Sequence, residues 1–145
     1  MKKFRSEIFV LSVLLFVLLM GCTSEDAGPV LLQVSGAVEQ ETGFTEKDLN
    51  ALGLTDVDFT EKSGDVSTYT GVQVRDVLSE VGVTSDASAV GFVGDDGYEA
   101  ETTLEEIQTC EDCIVALLDE GGLKMVMPGF SSKLQVKGVI EFRVK

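Results

Sequence analysis

Apolar and polar positions alternate with a period near two along most of this chain, and three short stretches break that rhythm with a helical period. The clearest helical stretch follows Thr70-Gly71. Val74, Val77, Leu78 and Val81 fall at i, i+3, i+4 and i+7, so one face is apolar. Gly82 stands next, where a helix end needs a residue that tolerates positive φ. A second helix is announced by its cap. Thr45 takes the N-cap, Asp48 stands three residues on, and Phe44 can staple onto Leu49. Leu52 continues its buried face and Gly53 ends it. The third begins at Thr103-Leu104-Glu105-Glu106, a capping box, and runs a turn or two to Gln108.

The alternating stretches predict strands. Val30 to Val38 is the first, and Glu39 to Gly43 a loop. Val57 and Phe59 begin another, which turns at Ser63-Gly64-Asp65 into Val66 to Tyr69, with Thr70-Gly71 opening the central helix. Val90, Phe92 and Val93 form a compact apolar strand. Gly94-Asp95-Asp96-Gly97 turns it back, so that Tyr98, Ala100 and Thr102 point inward between Glu99 and Glu101. Asp95, Asp96, Glu99 and Glu101 read as a solvated turn with no metal site, because their spacing does not match a calcium loop. Ile114 to Leu118 is wholly apolar. Gly121-Gly122 turns it into Leu123, Met125 and Met127, which alternate with Lys124 and Val126 until Pro128-Gly129. Phe130 to Val136 is a loop, and the last strand puts Ile140, Phe142 and Val144 inward. The class is α+β: a mixed, mostly antiparallel sheet with three short helices, forming one domain over residues 30–145.

The N-terminus belongs to a different pattern. Lys2, Lys3 and Arg5 precede an apolar run from Ile8 to Met20, which ends in Leu19-Met20-Gly21-Cys22. This has the form of a lipoprotein signal over residues 1–21, with Cys22 as the lipidated first residue and residues 22–29 as a polar tether. An uncleaved anchor with an incidental cysteine is the alternative. Either reading places the domain at the extracytoplasmic face of a cell membrane, held through its lipid or its anchor. The whole chain has 11 basic and 25 acidic residues; without residues 1–21 it keeps 8 and 24, a net charge of −16. That argues against a nucleic-acid partner and a polybasic membrane patch, and suits cationic ligands, metal ions or a basic partner. The chain has no histidine, so it lacks the usual general base and the commonest metal ligand.

Three stretches then resemble, in order, the oxidoreductase molybdopterin-binding domain of sulfite-oxidase-type enzymes: TGVQVRDVLSEVGV, VGFVGDDGYEAETTLEE and LKMVMPGFSSKLQVKGVIEFRV. The likeness runs from Leu31 to Val144 and is densest after Tyr69. It implies the sulfite-oxidase-type topology, in trimmed form. It also implies a molybdenum-ligating cysteine ahead of the matched strands, yet Val30 to Tyr69 holds no cysteine. The positions that the resemblance assigns to a cofactor-side surface are Gly71, Lys124, Lys133 and Lys137. No catalytic residue is assigned and no cofactor is expected, with molybdopterin as the alternative.

Cys110 and Cys113 remain. A zinc site wants four ligands, which the chain does not offer. Between the cysteines stand Glu111 and Asp112, whose charges disfavour a thiolate. An exported location favours a structural disulfide, with an electron relay and a metal site as alternatives. The combined expectation is a lipid-anchored domain with a degenerate molybdopterin-binding-like scaffold, a non-catalytic binding or accessory module for a small ligand or a protein partner. A redox protein that takes molybdopterin or another cofactor, completed by a partner chain, is the alternative.

Overall fold

A computed structural model describes residues 28–145. The expected signal, Cys22 and most of the tether lie outside the described residues; Gly28 and Pro29 are exposed coil. The element order is β1 (Val30–Gly36), β2 (Thr42–Thr45), α1 (Glu46–Ala51), β3 (Thr55–Thr60), β4 (Val66–Gln73), α2 (Val74–Val81), β5 (Ala89–Gly94), β6 (Glu99–Thr103), α3 (Leu104–Thr109), β7 (Ile114–Leu117), β8 (Leu123–Val126), a 3-10 turn (Ser132–Leu134) and β9 (Val139–Val144).

The strands form two sheets. The first is five-stranded in the order β2-β1-β9-β5-β6, with β1 and β9 parallel and the other pairs antiparallel. The second is four-stranded and wholly antiparallel, β3-β4-β7-β8. Between them lies the main core. Leu32, Val34, Val90, Phe92 and Phe142 from the first sheet join Val72, Val115 and Met125 from the second and the apolar face of α2. The rings of Phe92 and Phe142 meet edge to face at 5.1 Å.

The helices start where their caps predict. In α1 the Asp48 amide donates to Thr45 Oγ1 at 3.2 Å, while the Thr45 amide donates to Asp48 Oδ2 at 2.9 Å. In α3 Thr103 and Glu106 repeat the exchange, at 3.2 Å in each direction. Helix α2 has no side-chain cap. Its Val74 amide donates instead to the Cys113 carbonyl at 2.9 Å, which ties the helix to the start of β7.

Five expectations need correction. The α+β class, with three short helices and mostly antiparallel strands, holds, but the strands divide between two sheets, because alternation tells inside from outside but not which strands pair. The segment 42–45, read as loop and cap, is strand β2 on the edge of the first sheet. Thr70-Gly71 does not turn into the helix: β4 continues to Gln73, and Gly71 pairs with Ala116 of β7. Tyr98 is exposed before β6 begins, because the turn ends there with Gly97 at φ +82°. In β9 the register slips opposite Val93 and Gly94, so Ile140 is an extra residue. Ile140 is 48% exposed and Val139, at 1%, takes the inward place.

Candidate functional site

One face of the second sheet belongs to the main core. The other carries a smaller apolar cluster: Val57, Ile114, Ala116 and Val126, with Phe59 and Tyr69 packed against it. Register places Gly71, Ala116 and Lys124 in one cross-strand row on this second face. Strands β8 and β4 are two spacings apart, roughly 9–10 Å. Lys124 spans that gap because the residue between is only an alanine. Its Nζ donates to Tyr69 Oη at 2.7 Å and lies 4.0 Å from the centre of the Tyr69 ring.

Lys124 is 5% exposed, the one buried charged side chain among the described residues. A buried ammonium needs partners. Besides Tyr69 it has Glu61 Oε1 at 3.2 Å, with the Phe59 ring centre at 5.5 Å. Tyr69 closes the triangle, donating its hydroxyl to the same Glu61 oxygen at 2.6 Å. The Tyr69 hydroxyl first, and the Lys124 ammonium after it, hold the Glu61 carboxyl below the usual carboxylate range.

Glu61 and Lys124 of this triangle line a pocket of about 680 Å³, together with Phe59, Lys62, Phe130 and Lys137 among others. The β3–β4 turn, edge strand β8 and the segment after the 3-10 turn enclose it. Two contacts hold that segment in place. The Gln135 side-chain amide donates to the Met127 carbonyl at 2.7 Å and accepts from the Met127 amide at 2.9 Å. The Met125 amide donates to the Val136 carbonyl at 2.8 Å, which brings Lys137 opposite Lys124 across a single bridge.

The pocket inverts the charge of the domain. Residues 28–145 contain 8 basic and 22 acidic residues. Lys62, Lys124 and Lys137 face one carboxylate there, Glu61. The pocket's balance is therefore positive within a strongly negative domain.

Of the residues assigned to a cofactor-side surface, Lys124 and Lys137 are brought together in the pocket. Gly71 stands in the Lys124 row, but a Cβ there would lie 2.2 Å from the Val115 carbonyl oxygen, so close strand approach accounts for it. Lys133 is exposed in the 3-10 turn beside lining residue Ser132, and its carbonyl accepts from the Tyr98 hydroxyl at 3.2 Å. Glu61, Lys62, Tyr69 and the two phenylalanines were not assigned from sequence. The usable signal was the Ser63-Gly64-Asp65 turn, since the hairpin pairs Val57 with Tyr69 and so sets Phe59 and Tyr69 on one face.

Cys110 and Cys113 form a disulfide with Cα atoms 5.5 Å apart, between α3 and β7 and away from the pocket lining. The carboxylates near the β5–β6 turn do not converge. Asp96 accepts the Tyr98 amide at 2.9 Å, while Glu99 and Glu101 both hold Lys145. Among the described residues, no three His, Cys, Asp or Glu side chains are grouped to hold a metal ion.

The fold has solved counterparts. The crystal structure of the sulfane dehydrogenase SoxCD from Paracoccus pantotrophus matches with a TM-score of 0.64 at 18% identity, over 78% of this chain and 37% of that one. The chain thus spans little more than a third of that protein's length, and at this identity the likeness is one of fold. No curated protein matches the sequence. The oxidoreductase molybdopterin binding domain matches residues 23–144, and the chain belongs to that family.

Proposed function

We propose that this protein is a lipid-anchored module at the extracytoplasmic face of a membrane, which binds a small ligand in the Lys124 pocket and does not turn it over. The family implies molybdopterin, so the fit of the residues matters. The resemblance calls for a thiolate on the metal. Among the described residues both cysteines are joined to each other, the chain has no histidine, and the pocket presents the carboxylate of Glu61. That donor set does not fit a molybdenum centre. The observation that carries the reading is a preorganised cationic pocket without a thiolate. The basic head, the apolar run and Leu19-Met20-Gly21-Cys22 support the anchor. The disulfide is read as structural, fixing the turn into β7.

Expression of the full chain in a host that makes the cofactor tests this reading. Metal analysis is expected to find no stoichiometric molybdenum, and intact mass to show loss of residues 1–21 with added acyl mass. No free thiol is expected at Cys110 or Cys113. Stoichiometric molybdenum would overturn the non-catalytic reading in favour of a redox role, and an unmodified full-length mass would overturn the anchor.

A further inference from the structure

Building on that binding reading, we propose that the pocket takes a compact aromatic monoanion, a single ring bearing one carboxylate, and that Lys62 and Lys137 receive its charge. Lys124 is the most conspicuous cation there, but it is already engaged. Its ammonium is shared between Glu61 and Tyr69 and its side chain is 6% exposed. It shapes the wall and holds Glu61 still. Lys62 and Lys137 line the same pocket, and neither has a carboxylate within salt-bridge distance among the described residues.

That lack of partners is informative in a region where acids outnumber bases by 22 to 8. Arg75, Arg143 and Lys145 each have a carboxylate partner, while Lys133, exposed next to lining residue Ser132, has none among the described residues. Two unpaired lysines in one concavity amount to a charge held ready for an anion from outside. The Ser132 hydroxyl, also in the lining, makes no hydrogen bond within the described residues and can donate to a second carboxylate oxygen.

The remaining features select among anions. Phe59 and Phe130 give the pocket apolar wall, which rewards a ring over a fully hydrated ion. Glu61 faces the same space and stays ionised, so a ligand with two negative charges meets repulsion that a monoanion largely avoids. The pocket, about 680 Å³, holds a single substituted ring with room to spare, so the charges and the phenylalanines, not its size, select the ligand.

Calorimetric titration of the full-length chain in detergent with benzoate, neutral benzamide and inorganic phosphate tests the proposal. Benzoate is expected to bind with a Kd of ~1 mM or tighter, a reasonable bound for so small a probe. Benzamide and phosphate are each expected to bind at least ~10-fold more weakly, a difference of one tenfold step in affinity. The Lys62→Gln, Lys137→Gln double variant is expected to lose benzoate affinity by a similar factor while melting like the parent. A double variant of the paired cations, Arg143→Gln with Lys145→Gln, is expected to bind benzoate unchanged. Benzamide as tight as benzoate, an unaffected lysine variant, or no benzoate binding up to ~50 mM would each overturn the proposal. Phosphate binding tighter than benzoate would replace the aromatic carboxylate by a phosphate ligand. The two readings fail separately. Stoichiometric molybdenum, with benzoate still bound by metal-free protein, removes only the non-catalytic reading. Absence of molybdenum together with absence of benzoate binding removes only this one.

Discussion

The two sheets use the same device with opposite results. In each, a long cation reaches across a middle strand over a residue that gives it room. On the second sheet Lys124 crosses β7 over Ala116 to reach Tyr69 on β4. On the first, Arg143 of β9 crosses β5 at Gly91 to reach Glu99 on β6, and Lys145, just past the end of β9 and opposite Ala89, reaches Glu99 and Glu101. There Arg143 Nη1 meets Glu99 at 2.8 Å, Arg143 Nη2 meets Glu141 at 2.7 Å, and Lys145 Nζ lies 2.6 Å from both Glu99 and Glu101. Every charge on that outer face finds its opposite, in water. On the second sheet the cation is buried, and unpaired lysines stand beside it. Reach across a strand therefore does not make a site. Burial and leftover charge are what the proposed site adds.

The largest expected effect comes from filling the glycine in each crossing region. A Cβ at Gly71 would lie 2.2 Å from the Val115 carbonyl oxygen and 2.6 Å from the Ala116 Cα, both backbone atoms that cannot yield without opening the sheet. Gly71→Ala is expected to cost about 3 kcal/mol, at the upper end of overpacking penalties. A Cβ at Gly91 would meet Glu99 Oε1 at 2.5 Å, the free end of a flexible side chain. Gly91→Ala is therefore expected to cost far less. Urea unfolding of the two variants side by side checks this. Equal losses would show that the two crossings are equally rigid.

Next come substitutions of Lys124. Lys124→Ala removes a buried stem and strips Tyr69 and Glu61 of their partner, with an expected loss of about 2 kcal/mol. Lys124→Met keeps the stem volume and is expected to recover most of that, as apolar replacements of buried ions commonly do. If Met proves as damaging as Ala, the ion pair and not the packing holds this wall.

Acid separates the regions less sharply. The pKa of Glu61 is depressed, mainly by Tyr69 and then Lys124, and that of Glu99 mainly by Lys145. A carboxyl with a lowered folded pKa stabilises the fold above its unfolded value, near pH 4. That contribution is lost as pH falls through the folded value. Stability is expected to decline below about pH 4 and to stay flat between pH 6 and 8, because no histidine titrates there. Glu61→Gln is expected to make the acid decline shallower at low and high salt alike. An unchanged decline would mean that other carboxyls set it.

Much of this fold was legible because the signals were local. The capping pairs Thr45 with Asp48 and Thr103 with Glu106 lie three residues apart, and so does the repeat of α2. What failed was pairing at a distance. Ile140 and Val139 exchanged roles through a slip opposite Val93, on a strand far away in sequence. The site divides in the same way. Lys124 and Lys137 came from the family resemblance, and no local pattern distinguishes Lys124 from a solvated lysine on an alternating strand. Its burial depends on Ala116 beside it and on Tyr69 two strands away, a register that spans 55 residues between Tyr69 and Lys124.

The smallest expected effect is the most direct check on the contrast. Arg143 and Glu99 are 42% and 28% exposed at their side chains, and Lys145 is 45% exposed. Exposed pairs gain little from their attraction, because water already solvates both ions and two long side chains must be held in place. Salt at physiological strength screens charges beyond about 8 Å, and higher salt reaches shorter separations. Glu141, with Ser35 donating to it at 2.5 Å, keeps a partner when Arg143 is removed. Arg143→Met is therefore expected to leave the urea midpoint within error of the parent at physiological salt. At low salt a small decrease is expected, because the net charge of the domain then becomes more negative and less screened. A large, salt-independent loss would show that the outer face of the first sheet is desolvated in solution. Something would then have to cover it, and the distinction between a self-paired surface and a receptive pocket would no longer hold.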